Sequence, residues 1–328
     1  MTHPQKHFTG KVVLVTGAGG SIGSEICRKL IEFGVRELRM LGHSELPLYE
    51  AEKNLRANFY QIAAPEIRTI LASVTDGKAM AQAVEGVDIV IHAAAHKHVP
   101  LCEQNPLEAI HNNVGGTVEL AEAASRAGVK QFVMVSSDKA VKPASIMGAT
   151  KRACELFIRF LDARTSMKCT TVRFGNVLNS SGSVLPLWRE QILAGKPIKL
   201  TDKRCTRYFM SIPEAVDLTM KAATLPRGGL YVLDMGEPKN LGELAAEMLK
   251  TYGGEAGIEE IGLRPGEKLH EELSYGGEQV KTPFPKVYAL REHEGRRILR
   301  WEDFHDLLMA TKIRHKLMAV DKLREIVS

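Results

Sequence analysis

The sequence is poor in several features that mark specialised classes. Its cysteines, Cys27, Cys102, Cys154, Cys169 and Cys205, are scattered and odd in number. They form neither a redox pair nor a metal spacing, which argues against a disulfide scaffold or zinc module and points to a reducing compartment. No stretch approaches the roughly 18 apolar residues that a membrane helix needs. The opening, MTHPQKHFTG, has no apolar core. No secretion signal or membrane span is therefore expected, and the expected location is cytoplasmic. There is no block of one charge sign, and the net charge of +5 is spread along the chain. That argues against a nucleic-acid footprint and leaves a mild attraction for anionic small molecules. Repeats and low-complexity tracts are missing as well.

What is present is ordinary globular composition: 328 residues, 44% hydrophobic and 25% charged. That is enough for one large domain with a lobe, or for two domains. Strands are expected at Lys11–Thr16, Glu37–Leu41, Ile67–Leu71, Asp88–His92, Gln131–Val135 and Thr170–Phe174. Helices are expected at Ser24–Phe33, Glu45–Gln61, Lys78–Val84, Glu108–Ala127 and Gly148–Ala163. This alternation argues for a parallel sheet with helices on both faces. Past residue 176 glycine and proline become frequent, as in NSSGSVLPLW, AGKPI and LRPGEK. The expected division is a dinucleotide-binding part over 1–175 and a smaller C-terminal substrate lobe over 176–328. Gly229–Asp234 is expected to return a strand to the sheet, and the amphipathic tail from Trp301 to close the fold as a helix.

VVLVTGAGGSIGSEIC places Gly17, Gly20 and Gly23, with Ser21 and Ile22 between them, where the first strand turns into the first helix. Glycine permits a tight turn and lets a pyrophosphate approach bare N–H groups at a helix N-terminus. The second strand ends in MLGHSE, with Gly42 where an NAD enzyme usually carries an acid for the ribose 2′-hydroxyl. A missing carboxylate removes repulsion toward a 2′-phosphate, and His43, followed by Ser44, can donate to one. The reading leans to NADP over NAD, with Glu45 or a backbone contact as the NAD alternative. After the fourth strand, HAAAHKHVP offers Ala93, Ala94 and Ala95 as small residues against which a cofactor can lie. Its histidines, His92, His96 and His98, have no acidic or cysteine partner at metal spacing, so no metal is expected.

The segments TGAGGSIGSE, HAAAHKHVPLCEQNPLEAIHNNVGGT, SSDKAVKPASIMGATKR, RFGNVLNSSGSVLPLW, TRYFMSIPEAV and LRPGEKLHEEL occur in that order. Together they resemble the bacterial polysaccharide-biosynthesis nucleotide-sugar dehydratases. These are the UDP-N-acetylglucosamine 4,6-dehydratases of the extended short-chain dehydrogenase Rossmann fold. The resemblance runs from about residue 8 to 290. Short-chain enzymes carry Tyr four residues before the active-site Lys. Here Met147 precedes Lys151, as in one branch of the family.

The resemblance implies a redox-neutral reaction. Hydride leaves sugar C4 for NAD or NADP, water is eliminated across C5 and C6, and hydride returns to C6. The cofactor then stays bound through turnover. Asp138 and Lys139 are the expected acid–base pair, Lys139 taking the C5 proton and Asp138 protonating the departing oxygen. Their ordinary pKa values, about 3.9 and 10.4, are wrong for those roles. Burial is expected to raise the one and lower the other, with Lys151 lowering Lys139 further. The alternative is an ordinary ion pair. With a thioether at 147, Asp138 also takes the O4 proton, directly or through a water held by Ser136 or Ser137. Lys151 is expected to bond the nicotinamide ribose.

Ser73, Val74 and Asn113 are placed with the cofactor, Asn113 as a structural residue or a helix cap. Lys97 and His98 are placed toward nicotinamide and sugar. Asn176, Ser183, Val184, Arg207, Arg264 and Glu267 are placed with the nucleotide sugar, the arginines on its diphosphate. Cys102 is read as packing. The helices over 105–127 and 148–163 are expected to form a four-helix interface in a homodimer or larger assembly. A nucleotide-sugar 4-epimerase or 5,6-dehydratase is the rival enzyme, and a non-catalytic dinucleotide sensor the rival from another class.

Overall fold

A computed structural model describes residues 3–59, 65–253, 257–276, 278–291 and 299–328. The apolar runs form β1 (Val12–Thr16), β2 (Glu37–Gly42), β3 (Glu66–Leu71), β4 (Ile89–His92), β5 (Gln131–Ser137) and β6 (Lys168–Phe174). β1 and β4 are buried along their whole length, as parallel strands covered on both faces must be. Past residue 176 the chain returns three strands to this sheet: β7 (Gly229–Leu233), β8 (Glu278–Lys281) and β9 (Val287–Arg291). The sheet order is β8-β9-β7-β6-β5-β4-β1-β2-β3. It is parallel from β3 to β7 and antiparallel at β7–β9 and β8–β9. Winding reverses between β1 and β4, and the carboxyl ends of strands part there to leave a crevice.

The expected helix Glu108–Ala127 is three pieces: Pro106–Ile110, a π-helical turn His111–Gly115, and Gly116–Arg126. The wide turn carries Asn113 inward, where its side chain accepts from His96 N and donates to His96 O and Thr150 Oγ1. Gly116 follows because an added Cβ would stand 2.4 Å from Val74 Cγ2. A helix over Val99–Gln104, with Pro100 in its first turn, was not evident in the sequence. The expected helix Glu45–Gln61 is described as Glu45–Asn58; Gln61 lies outside the described residues.

The tail is two helices, Trp301–Lys312 and Lys316–Val327, parted at Arg314, whose φ of 57° is left-handed. They pack on the helix Ile146–Asp162, with Phe304 edge-on to Phe157 at 5.1 Å. Every residue of that helix from Met147 to Ile158 is buried within the chain. This corrects the four-helix interface expected for it, because the chain's own C-terminal hairpin covers that surface. No helix among the described residues is long and apolar enough to cross a membrane.

Candidate active site

The crevice is a cavity of about 820 Å³. Its floor is the turn holding Gly17, Gly20, Ser21, Ile22 and Gly23. Gly17 has φ 67°, and a Cβ there would stand 2.8 Å from Ala94 N. A Cβ on Gly23 would stand 2.1 Å from Gly17 O. Gly20 caps the helix Ser21–Glu32 without a side-chain hydrogen bond, so first-turn N–H groups are left for a ligand. Bare backbone at a helix N-terminus suits a pyrophosphate. Val74, Ala93, Ala94 and Ala95 complete this side.

His43 and Ser44 line the cavity beyond β2. A Cβ on Gly42 would meet only Leu48 Cδ1 at 3.5 Å, an ordinary contact. The backbone position itself therefore does not demand glycine. Two expected cofactor residues are not in the wall. Ser73 turns its hydroxyl to Thr75, and Asn113 is fully occupied holding the His96 peptide to Thr150.

Of the histidines, His92 is buried between Thr16 Oγ1 at 2.7 Å and Thr117 Oγ1 at 3.0 Å. Burial, aided by the Lys151 charge, pushes its pKa down to about 3, so the ring is neutral. His96 pairs with Glu108. Among the described residues no three metal-ligating side chains cluster. Lys97 and His98 do reach the cavity, but both are engaged with the loop above it. Lys97 Nζ donates to Ser181 O at 2.6 Å, and a Cβ on Gly182 would stand 2.7 Å from His98 Cε1. Burial lowers the pKa of both. The same loop reaches the phosphate turn, where Ser181 N donates to Ser21 Oγ at 3.0 Å.

β5 delivers Ser136 and Ser137, and a single 3-10 turn, Asp138–Ala140, follows. Ser137 and Lys139 line the cavity, whereas Asp138 is fully buried behind them. Ser137 Oγ donates to Asp138 Oδ1 at 2.9 Å and Lys139 Nζ donates to the same oxygen at 3.0 Å. Asp138 Oδ2 has no hydrogen-bond partner among the described residues. Gly175 makes room for it, since a Cβ there would stand 3.1 Å from Oδ2. Lys139 also donates to Asn176 Oδ1 at 3.2 Å.

The expected lowering of Lys139 is overturned. Loss of water around it would lower its pKa, but the Asp138 and Glu271 carboxylates more than offset this. The opposing cation is Arg207, not Lys151, and Lys139 stands above its ordinary value. Lys139 is therefore held in its charged form at rest. Ser136 also lines the cavity, and its hydroxyl donates to Glu155 at 2.7 Å, which leaves only its lone pairs for a water. Glu155 is clamped by Arg173 and Arg152; burial alone would raise its pKa, but these partners hold it below the usual carboxylate range.

Lys151 and Met147 both line the cavity. Lys151 Nζ donates to Val135 O at 2.7 Å, and burial, against Cys154 and Glu155, lowers its pKa. Met147, whose thioether has no proton to give, packs with Val99, Cys102 and Ala109. Asn176, Ser183 and Val184 line the cavity, as expected for them. Arg207, Arg264 and Glu267 do not. The Arg207 guanidinium is spent on the carbonyls of Thr206, Lys268 and Leu269. Glu267 accepts from Arg264 N in a surface turn. The residue that motif reading passed over is Glu271 of LHEEL, buried with Oε1 3.7 Å from Lys139 Nζ. Its only sequence signal was membership in a matched segment.

Comparison with known proteins agrees with this architecture. The sequence profile of a family described as "Polysaccharide biosynthesis protein" matches residues 13–292. The chain is 45% identical over 308 residues to the probable polysaccharide biosynthesis protein EpsC of Bacillus subtilis, covering 91% of this chain and 51% of EpsC. It thus spans about half the length of that relative. It is 32% identical to a UDP-glucose 4-epimerase of Rickettsia canadensis, covering 84% of this chain and 81% of the epimerase. The crystal structure of Pen from Bacillus thuringiensis superposes with a TM-score of 0.78 at 32% identity, covering 88% and 89% of the two chains. The fold is that of the extended short-chain dehydrogenases, as expected.

Proposed function

Because the chain belongs to this polysaccharide-biosynthesis family, we propose that it is a nucleotide-sugar 4,6-dehydratase acting on UDP-N-acetylglucosamine. The observation that carries this reading is the Asp138–Lys139 pair at the crevice, beside a methionine where a phenol would otherwise stand. A bound nicotinamide dinucleotide, held by the Gly17–Gly23 turn and Ala93–Ala95, supplies a hydride acceptor for sugar C4 and a donor to C6. The bare turn and free helix N-terminus fit its pyrophosphate.

The protons fall to the protein. Ser137 Oγ, between cavity and carboxylate, passes the O4 proton to Asp138. Neutral Asp138 no longer holds Lys139 charged, and the ammonium loses its proton to solvent through the cavity. The Lys139 amine then takes the C5 proton, and Asp138 gives its proton to O6, which leaves as water. Lys139 returns a proton to C5 as C6 is reduced, and regains one from solvent. Atoms balance: the sugar loses one water and each group ends as it began. Lys151 braces this end of β5 through the Val135 carbonyl.

A 4-epimerase has support from the Rickettsia relative. It needs no acid for O6, so it leaves Asp138 without a second role. Incubation with UDP-N-acetylglucosamine and NAD or NADP tests the reading. A product lighter by one water, with a 4-keto, 6-methyl NMR signature, is expected; the C4 epimer alone would overturn it.

A further inference from the structure

Glu271 is buried, with Oε1 3.7 Å from Lys139 Nζ and no hydrogen-bond partner for Oε2 among the described residues. A buried carboxylate with an idle oxygen is costly, and such groups gather where charge is put to use. Its segment is fastened over the 3-10 turn from several directions. Lys268 Nζ donates to Val141 O at 2.7 Å, and Tyr275 Oη donates to Ala140 O at 3.1 Å. Arg207 grips the carbonyls of Lys268 and Leu269, and Thr206 Oγ1 pairs with His270 Nδ1 at 2.9 Å. Glu271 is thereby held in place against Lys139. Its neighbour Glu272 is taken by Lys142.

Resting on the dehydratase reading, we propose that Glu271 is a positioning residue that acts through Lys139, setting the pH at which the lysine becomes a base. The Lys139 ammonium is faced by Asp138 from its own turn, Asn176 from the sugar lobe, Glu271 from the segment above, and the Arg207 cation, while its backbone N–H donates to Ser137 Oγ. The Asp138 contact, at 3.0 Å, is the tighter of the two carboxylate holds. Proton uptake by Asp138 removes that hold, and the longer Glu271 contact then decides how readily the ammonium lets its proton go. Glu271 also keeps Lys139 protonated between turnovers, so the amine is not exposed in the empty site.

The test is Glu271→Gln, which keeps shape and removes charge. The rising limb of kcat against pH is expected to move to lower pH by about one unit, and Glu271→Asp to move it less. A merely structural role would scale the profile down without displacing it, and that result overturns the proposal. A second measurement needs no substrate. NMR titration of labelled lysine, with Lys139 assigned by the Lys139→Arg variant, should place Lys139 above the ordinary lysine value in the native protein and lower in Glu271→Gln. Equal values in both overturn the proposal. If Glu271→Gln does not fold, the native protein is compared with Glu271→Asp, whose shorter carboxylate should also lower Lys139; an unchanged value overturns it. Absence of dehydrated product from the native protein would count against the dehydratase reading and leave this titration standing.

Discussion

Ser137 Oγ donates to Asp138 Oδ1 at 2.9 Å, with the serine in the cavity wall and the carboxyl fully buried behind it. The hydroxyl is thus placed to carry a proton between a ligand in the cavity and Asp138. Asp138→Asn should bind cofactor and nucleotide sugar yet show neither C5 deuterium exchange nor dehydration. Ser137→Ala should lower kcat on the order of a hundredfold with KM little changed. Steady-state kinetics with deuterium-exchange NMR checks both; near-native turnover of Asp138→Asn would end the assignment.

Gly42 ends the second strand, where a carboxylate selects NAD through the ribose 2′-hydroxyl. A side chain can start there without a clash, since an added Cβ meets only Leu48 at ordinary contact distance. The native protein is expected to carry NADP through purification, identified by mass analysis. Gly42→Asp should turn the preference toward NAD by at least about tenfold, through repulsion of the 2′-phosphate and capture of the 2′-hydroxyl. Titration with each dinucleotide reads the change.

Acid stability should report His92. Its folded pKa is depressed to about 3 by burial and by Lys151. The unfolded chain therefore takes up the proton first, near pH 6.5. The stability that the neutral, threonine-bonded ring contributes is complete above that pH and is lost as the pH falls from there through about 3. Denaturant midpoints across pH 4 to 8 should fall toward acid in the native protein and fall less in His92→Gln. Parallel curves would refute the linkage.

The C-terminal hairpin is part of the core. Phe304 is completely buried and stacks edge-on with Phe157. Phe304→Ala should cost about 3–5 kcal/mol, from lost burial and the cavity left behind. Chemical denaturation measures it. A change below about 1 kcal/mol would mean that the hairpin is not cooperative with the sheet.

Much of this protein was legible along the chain. The Val12–Thr16 run, the glycines that follow it and the amphipathic spacing of Ile26 and Leu30 are local signals, because backbone sterics and side-chain periodicity act between near neighbours. They give the first βα unit, the crevice floor and the order of strands. Met147 and Lys151, at helical spacing, both reached the cavity wall for the same reason. What only the tertiary structure decided is who meets whom across long stretches of chain. Arg207 looked like a phosphate ligand until folding presented it with three carbonyls. The helix at Ile146 offered an apolar face, but the tail reached it first. Lys139 was expected to lose charge on burial and instead keeps it, because Glu271 joins Asp138 around one ammonium. A side chain's charge answers to groups within a few ångströms in space, and the order of residues along the chain does not say which those will be.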